Sequence, residues 1–498
     1  MVTRRSLLLG TASLGSLVCG HGPAVHTRPP RLTHGVQVGD VQDGHALVWA
    51  RCDEPARMVI EWSTSPSLRD PVRVTGPVVG PATDRCGAAW LRGLPGGQTI
   101  TYRVRFEREA ARGDSAWVTG RFATPHPRRM RVAWTGDTCG QGFGRNPAWG
   151  GLRGYAAIRA AEPSLFLHVG DLIYADNPIL PEQTTHDGRV WRNLSDERVD
   201  HVAETLADFR GRFAYNLEDA HVQALAAEVP IVAQWDDHEV RNNWWPGQRL
   251  DDERYTERDA SVLAGRALRA MREWTPIGGP TIRRVLRCGP LLDVVVVDLR
   301  SARTANDGNR GPQRPLLGAD QARWLVDTLA ASRARWKIVA CDQPLALVVP
   351  DGPDRQDGYA NGGGPPLGRE LELAAVLAGL TARGVRDVVW LTADVHYAAA
   401  HHFDPARAAR GDIIAFTPFW EFAAGPIHAG SFGPNALDPT FGPEVRFQSA
   451  PPPGAANLAP WDGLQSFGTV DVTPEHLRVG LWGLEGAPRF EVDIPASS

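Results

Sequence analysis

The sequence predicts an α/β domain of layered sheet and helix, preceded by a small all-β sandwich domain. Three observations predict it. Short alternating segments without helical periodicity fill the chain from about Leu32 to Thr124. After them, apolar strand-like runs alternate with helical patterns. Four of those apolar runs end directly in loops rich in metal-capable side chains.

The chain begins with Thr3-Arg4-Arg5-Ser6, a twin arginine directly before a moderately apolar run from Leu7 to Val18. That run is too short to span a bilayer and contains Gly10 and Gly15, as signal h-regions often do. Residues 1–30 therefore resemble a twin-arginine signal peptide, which routes folded proteins through the twin-arginine export machinery. An ordinary secretory signal with two chance arginines is the alternative. The expected destination is the periplasm or the medium. Cys19 hints at lipid attachment, although Leu17-Val18 before it fits a lipobox poorly. No other segment reads as transmembrane.

Residues 31–125 are expected to form the β-sandwich domain. Ala46-Leu47-Val48-Trp49-Ala50, Met58-Val59-Ile60-Glu61-Trp62 and Thr101-Tyr102-Arg103-Val104-Arg105-Phe106 read as its strands. Cys52 and Cys86 in this region either pair or are two buried thiols. No catalytic cluster precedes the linker Thr124-Pro125-His126-Pro127-Arg128-Arg129, so the module reads as accessory.

Residues 126–498 read as the catalytic domain. Strands are expected at Arg131–Thr135, Ser164–Val169, Ile231–Trp235, Leu291–Asp298, Trp336–Ala340 and Val388–Thr392. Helices are expected at Leu152–Ala161, Asp200–Tyr215, Leu217–Ala227, Tyr255–Trp274, Asp320–Ser332 and Leu367–Arg383. The tail returns to strands, with a hairpin pattern over Gly468–Val472 and Leu477–Trp482. Phe419-Trp420-Glu421-Phe422 either walls a pocket or packs in the core. The Gly/Pro-rich stretch from Gly352 to Pro366 reads as a surface loop that could wall an active site.

Composition narrows the function. A formal charge of −4 gives no reason to expect a nucleic-acid-binding role. Lys337 is the only lysine, and this excess of arginine reads as codon bias in a GC-rich genome. A hydrophobic content of 43% is ample for packed cores.

The chemistry lies at four strand ends: Gly136-Asp137-Thr138-Cys139, Gly170-Asp171-Leu172-Ile173-Tyr174, Trp235-Asp236-Asp237-His238-Glu239 and Ala393-Asp394-Val395-His396. Each alone is a weak signal. Four in order, each after an apolar strand of one sheet, point to a shared metal site.

Gly-Asp-x-x-Tyr, Trp-Asp-Asp-His-Glu and Ala-Asp-Val-His resemble the metal motifs of PhoD-type alkaline phosphatases, within the calcineurin-like metallophosphoesterases. The resemblance runs from about Leu32 to the C-terminus. It implies a metallophosphoesterase-like fold and an exported phosphoric ester hydrolase with alkaline phosphatase and phosphodiesterase activity. It also implies a centre of Fe3+ and Ca2+, with another divalent ion as the alternative to calcium. Purple acid phosphatases share the Gly-Asp-x-x-Tyr pattern, but here Asp394 stands where their histidine is expected.

Two adjacent cations would activate water for in-line attack on phosphorus and clamp the phosphoryl oxygens. Asp171 is the candidate bridge between them. Tyr174 and Cys139 are anionic ligands suited to trivalent iron, with a buried thiol as the alternative for Cys139, and Asp137 is an added ligand. Asp237, Asp394 and His396 complete the predicted metal set. His238 is the candidate acid toward the leaving oxygen. Arg241 is the candidate phosphate holder, with a surface ion pair to Asp236 or Glu239 as the alternative. The substrate is a phosphate monoester or diester. A narrow site with added cationic donors would favour monoesters, an open groove diesters, including lipid headgroups or cell-wall polymers. A non-catalytic binding module would be expected to lack one of the four motifs.

Overall fold

The computed structural model describes residues 28–108, 113–409 and 415–497. The twin arginine, the apolar run after it and Cys19 lie outside the described residues.

Two large sheets pack face to face. The first has nine strands, in spatial order Pro488–Pro495, His476–Gly483, Ser466–Val472, Met130–Thr135, Leu165–Val169, Ile231–Gln234, Leu32–Gln42, His45–Cys52 and Cys86–Arg92. Its three central strands from Met130–Thr135 to Ile231–Gln234 run parallel, so their carboxyl ends share one edge. The second has seven strands, in order Arg284–Cys288, Leu292–Val296, Trp336–Ala340, Val388–Thr392, Phe419–Ala423, Ala398–Phe403 and Pro443–Ser449.

One core lies between the sheets. Val132 and Trp134 from the first meet Ile338, Leu391 and Phe422 from the second in a single buried cluster. Trp134 sits edge-on to Phe422 with ring centroids 6.5 Å apart. The expectation of one sheet carrying all four motifs is therefore corrected. Three motifs follow strands of the nine-stranded sheet, and the fourth follows Val388–Thr392 in the seven-stranded sheet. A strand buried on both faces reads as the same apolar run in either sheet.

Side-chain caps set where the helices begin. The helix Leu206–Leu217 starts later than its apolar pattern because Thr205 and Asp208 form a reciprocal capping box. Ala260–Trp274 likewise starts at Asp259, whose carboxylate accepts the Ser261 N–H. Ala319–Ala331 and Glu370–Ala382 cover the outer face of the seven-stranded sheet, packing Leu325, Leu329, Leu373 and Leu377 against Val295, Val339 and Trp390. The strand Arg284–Cys288 had no separate sequence signal; it pairs antiparallel with Leu292–Val296 across a tight turn.

The N-terminal region is a sandwich that borrows half of itself from the large sheet. Strands Val72–Val79, Ala56–Ser63, Thr99–Glu107 and Val118–Ala123 form a separate four-stranded sheet. Its inner face packs Ile60, Tyr102, Val104 and Phe106 onto Val38, Val48 and Ala50. Those partners lie on strands that belong to the nine-stranded sheet. Leu32–Gln42 reaches Ile231–Gln234 through the parallel pair Gly39 and Ile231. Beside that junction, Arg284 forks onto Asp40, with Nε and Nη2 each 2.9 Å from a carboxylate oxygen. Cys52 and Cys86 are buried free thiols. Phe419-Trp420-Glu421-Phe422 is an inner strand of the second sheet, and His401 there is buried against Glu421 at 3.0 Å.

Candidate metal centre

The four predicted loops meet at the carboxyl ends of their strands, across the seam between the sheets. Tight turns place them. Asp137, Asp171, Asp394 and His396 all have positive φ, between 53° and 67°. Such left-handed residues cost about 1–3 kcal/mol each when not glycine, and they cluster where surrounding structure holds a functional geometry. Gly170, at φ 111°, allows a close approach of two loops. A Cβ there would lie 2.5 Å from Cβ of Asp236.

Potential ligand atoms gather into three adjoining groups, each with its members within 4.8 Å of one another. The first is Asp137, Asp171 and His396; the second is Asp171, Asp237 and His238; the third is Asp236, Asp237 and Asp394. Asp171 belongs to the first two groups, the relationship a bridging carboxylate needs. Both Asp137 oxygens are buried without a hydrogen-bond partner, as are Oδ2 of Asp236 and Oδ2 of Asp394. Buried carboxylates in this state are costly unless a cation meets them. The donor set therefore fits metal ions. Burial, and then the field of Asp236, pushes the Asp137 carboxyl well above its ordinary range. Burial, Asp236 and Asp237 do the same to Asp394.

The ring nitrogens are oriented by their second contacts. His396 Nδ1 donates to the Gly430 carbonyl at 2.5 Å. Its Nε2 is thus an acceptor, 3.0 Å from the Tyr174 hydroxyl and 3.9 Å from Asp137. Burial lowers the His396 imidazolium to about 4. Tyr174 stacks on His238, centroids 4.3 Å apart and planes at 28°. Burial, together with Asp171 and Asp137, holds its phenol well above its ordinary value. His238 Nδ1 meets Asp176 at 2.7 Å, and its backbone N–H donates to Asp171 Oδ1 at 3.1 Å. Burial opposes charge on His238, but Asp176, Asp237 and Asp171 outweigh it and hold the imidazolium well above its usual value.

Seven of the nine predicted site residues converge: Asp137, Asp171, Tyr174, Asp237, His238, Asp394 and His396. Two stand apart. Cys139 is in none of the three groups. It is packed in the inter-sheet core, where burial pushes its thiol up and the charges that act on it are those of Arg145, Asp219 and Arg212. Arg241 is not on the pocket wall; its Nη1 lies 3.5 Å from the Asn242 carbonyl. Neither of its expected ion pairs forms. Asp236 is taken by Arg300, with Nε 2.7 Å away, and Glu239 accepts the backbone N–H groups of Leu172 and Asp236.

Sequence alone does not single out Asp176 or Arg300, and it reads Asn242 and Asn243 as loop caps rather than amide-oxygen donors to a hard ion. Arg300 follows the strand Leu292–Val296 closely, so the strand-end pattern that found the other loops could have found it. Asn243 donates its backbone N–H to Asp237 Oδ2 at 2.5 Å. A pocket of about 270 Å³ opens onto the centre, walled by Val349, Pro350, Phe432, Asn242 and Asn435.

The PhoD-like phosphatase family model matches residues 132–481, a span that contains every group just described. The chain belongs to the PhoD-like phosphatase family. The family's N-terminal domain model matches residues 20–126. Alkaline phosphatase D of Bacillus subtilis (strain 168) is 30% identical over 282 residues, covering 50% of this chain and 44% of that protein. The alignment thus spans less than half of that relative's length. The solved structure of PhoD superposes with a TM-score of 0.71 at 19% identity, over 95% of this chain and 92% of that one. A purple acid phosphatase, PPD1 from yellow lupin (Lupinus luteus) seeds, gives a TM-score of 0.56 at 11% identity, over 94% and 74%. At these identities the two structures show a shared, metallophosphoesterase-like fold.

Proposed function

We propose that the protein is a metal-dependent phosphoric ester hydrolase that attacks phosphorus in line. The observation that carries this reading is Asp171, shared by two adjoining ligand groups on converging loops. When bound, two cations there would acidify a water and neutralise the transferring phosphoryl group. Asp137, Asp171, Tyr174 and His396 would hold Fe3+, for which hard anionic donors are suited. Asp237, Asp171 and Asp394 would hold Ca2+ or another hard divalent ion. With seven convergent residues, Cys139 is not needed as a ligand. His238, kept charged by Asp176, would give its proton to the departing alkoxide.

The range includes monoesters and diesters, and the pocket favours diesters. Among the described residues its wall carries no arginine or lysine, only amides, apolar groups, the two histidines and the carboxylates of the centre. A diester carries one negative charge, whereas a monoester above neutral pH carries two and gains more from extra cations. Export by the twin-arginine route is supported by Arg4-Arg5 before the apolar run.

The test is elemental analysis paired with turnover of matched monoester and diester substrates. Iron together with a divalent ion, and a higher kcat/KM for the diester, is the expected result. A colourless protein active with zinc alone would refute the iron assignment. Equal or better monoester turnover would refute the diester preference.

A further inference from the structure

The loop after Met130–Thr135 carries one side chain that neither the ligand groups nor the core uses. Gly140 and Gly142 have no room for a side chain. A Cβ at Gly140 would lie 2.4 Å from the Tyr174 ring, and one at Gly142 would lie 2.6 Å from Gln183 Oε1. Gln141 between them lines the pocket. It sits at φ 60°, a left-handed conformation that glycine takes without strain and glutamine does not. Side chains from two other segments clamp it there. Its N–H donates to Asn177 Oδ1 at 3.0 Å, and its carbonyl accepts from Asn457 Nδ2 at 3.0 Å. Among the described residues its own carboxamide has no hydrogen-bond partner. A strained backbone held from both sides, with a polar side chain left for the pocket, marks a recognition position.

We infer that Gln141 is a specificity-determining residue that reads a hydroxyl on the departing alcohol, so that the preferred substrate is a phosphodiester of a polyhydroxylated alcohol. Its tethers fix which half of the substrate it meets. Asn177, which holds the Gln141 N–H, donates through Nδ2 to Asp176 Oδ1 at 3.4 Å, and the same oxygen accepts from His238 Nδ1. Asn242, also on the pocket wall, donates its N–H to the other oxygen of Asp176 at 2.9 Å. The two amides therefore stand on the side of His238, where the leaving oxygen would receive its proton. Beside His396 the wall is instead apolar, with Phe432 edge-on to that ring at 5.3 Å between centroids. A carboxamide offers an acceptor oxygen and two N–H donors, which matches a hydroxyl that both donates and accepts. A plain alkyl alcohol offers it nothing.

The inference rests on the reading that the centre hydrolyses phosphoric esters, and a pair of substrates separates the two. Metal-loaded wild type, Gln141→Ala and Gln141→Gly are assayed on the methyl phosphodiesters of glycerol and of propanol, following release of methyl phosphate. The intrinsic difference between the two leaving alcohols is the same for every variant and cancels. The glycerol-to-propanol ratio of kcat/KM is expected to be about tenfold lower in both variants than in wild type, the weight of one lost hydrogen bond. No turnover of either diester by wild type overturns the hydrolase reading and this inference with it. Turnover with an unchanged ratio in the variants overturns this inference alone. An equal loss on both diesters places Gln141 on the phosphoryl group and also overturns it. Glycine accepts the left-handed conformation, so Gln141→Gly keeps the path of the loop and should have a Tm no lower than wild type. A markedly lower Tm would show that the side chain is kept for packing, and overturns the inference.

Discussion

The Asp176 carboxylate accepts a hydrogen bond from His238 Nδ1 at 2.7 Å, with both side chains buried. A carboxylate can only accept, so Nδ1 carries the proton and Nε2 is the ring nitrogen left for the pocket. Asp176→Asn should lower kcat about 10–100-fold, the usual weight of a partner that orients a catalytic ring. Metal content should stay unchanged. Losing the negative neighbour lowers the imidazolium pKa, so the alkaline limb of the pH profile should move to lower pH. A parallel loss of metal would place Asp176 in the ligand set instead.

Asp171 is the hinge between the two ligand groups. Asp171→Ala should reduce bound metal and cut turnover of both ester types by at least about a hundredfold, since even outer partners of ligands carry 10–100-fold. Selective loss of one ester activity would contradict a bridging role.

Tyr174 and Cys139 separate cleanly in the structure, one beside His396 and the other in the core. A phenolate-to-iron absorption band should disappear in Tyr174→Phe and persist in Cys139→Ser. Visible spectra of the two purified variants decide this, independently of activity.

Glu370 and Asp438 anchor the glycine-rich loop over residues 361–367. Glu370 Oε2 accepts the Leu367 N–H, and Asp438 accepts the backbone N–H groups of Asn361, Gly362 and Gly363. Burial, and then the field of Asp438, pushes the Glu370 carboxyl up to about 8. Its folded pKa is therefore above its unfolded value, and the stability it brings is fully present below the unfolded pKa of about 4.3. That stability is lost as pH rises from there through about 8. Glu370→Gln should flatten this decline, read as a Tm that varies less with pH than in wild type. An unchanged slope would remove Glu370 as its source.

The Asp40–Arg284 pair ties the first described strand to the second sheet. Its side chains are 3% and 10% exposed. Asp40→Ala leaves a buried guanidinium unpaired and should cost about 3–5 kcal/mol in denaturant unfolding. A loss below about 1 kcal/mol would mean that water reaches the site.

Much of the centre is legible in the chain because strand ends, left-handed turns and carboxylates leave local marks. Asp171, Tyr174, Asp237 and His396 sit where an apolar run stops, and that pattern needs no knowledge of the sheet. Sheet membership leaves no such mark. Val388–Thr392 and Leu165–Val169 are equally apolar, yet they lie in opposite sheets. The contrast between Asp137 and Cys139 is also illegible, because two residues in one loop differ only in which way the backbone turns them. Arg300 is hidden for another reason. A single arginine in an arginine-rich chain reads as surface, and only the convergence of five aspartates from four separate segments makes it a buried cation.

The strand Met130–Thr135 has a timetable built into it. Thr135 Oγ1 donates to the Ser466 carbonyl, a partner 331 residues later in the chain, and Ser466 Oγ accepts the Gly425 N–H. Gly425 in turn lies so close to Asp137 that a Cβ there would come within 2.3 Å of its Oδ2. On the ribosome, Asp137 therefore emerges long before the segments that close over it, beside a strand edge still open to the wrong partner. The centre reaches its final shape only after residues 466–472 have been made, so its carboxylates close on one another more than 300 residues after Asp137 has been added.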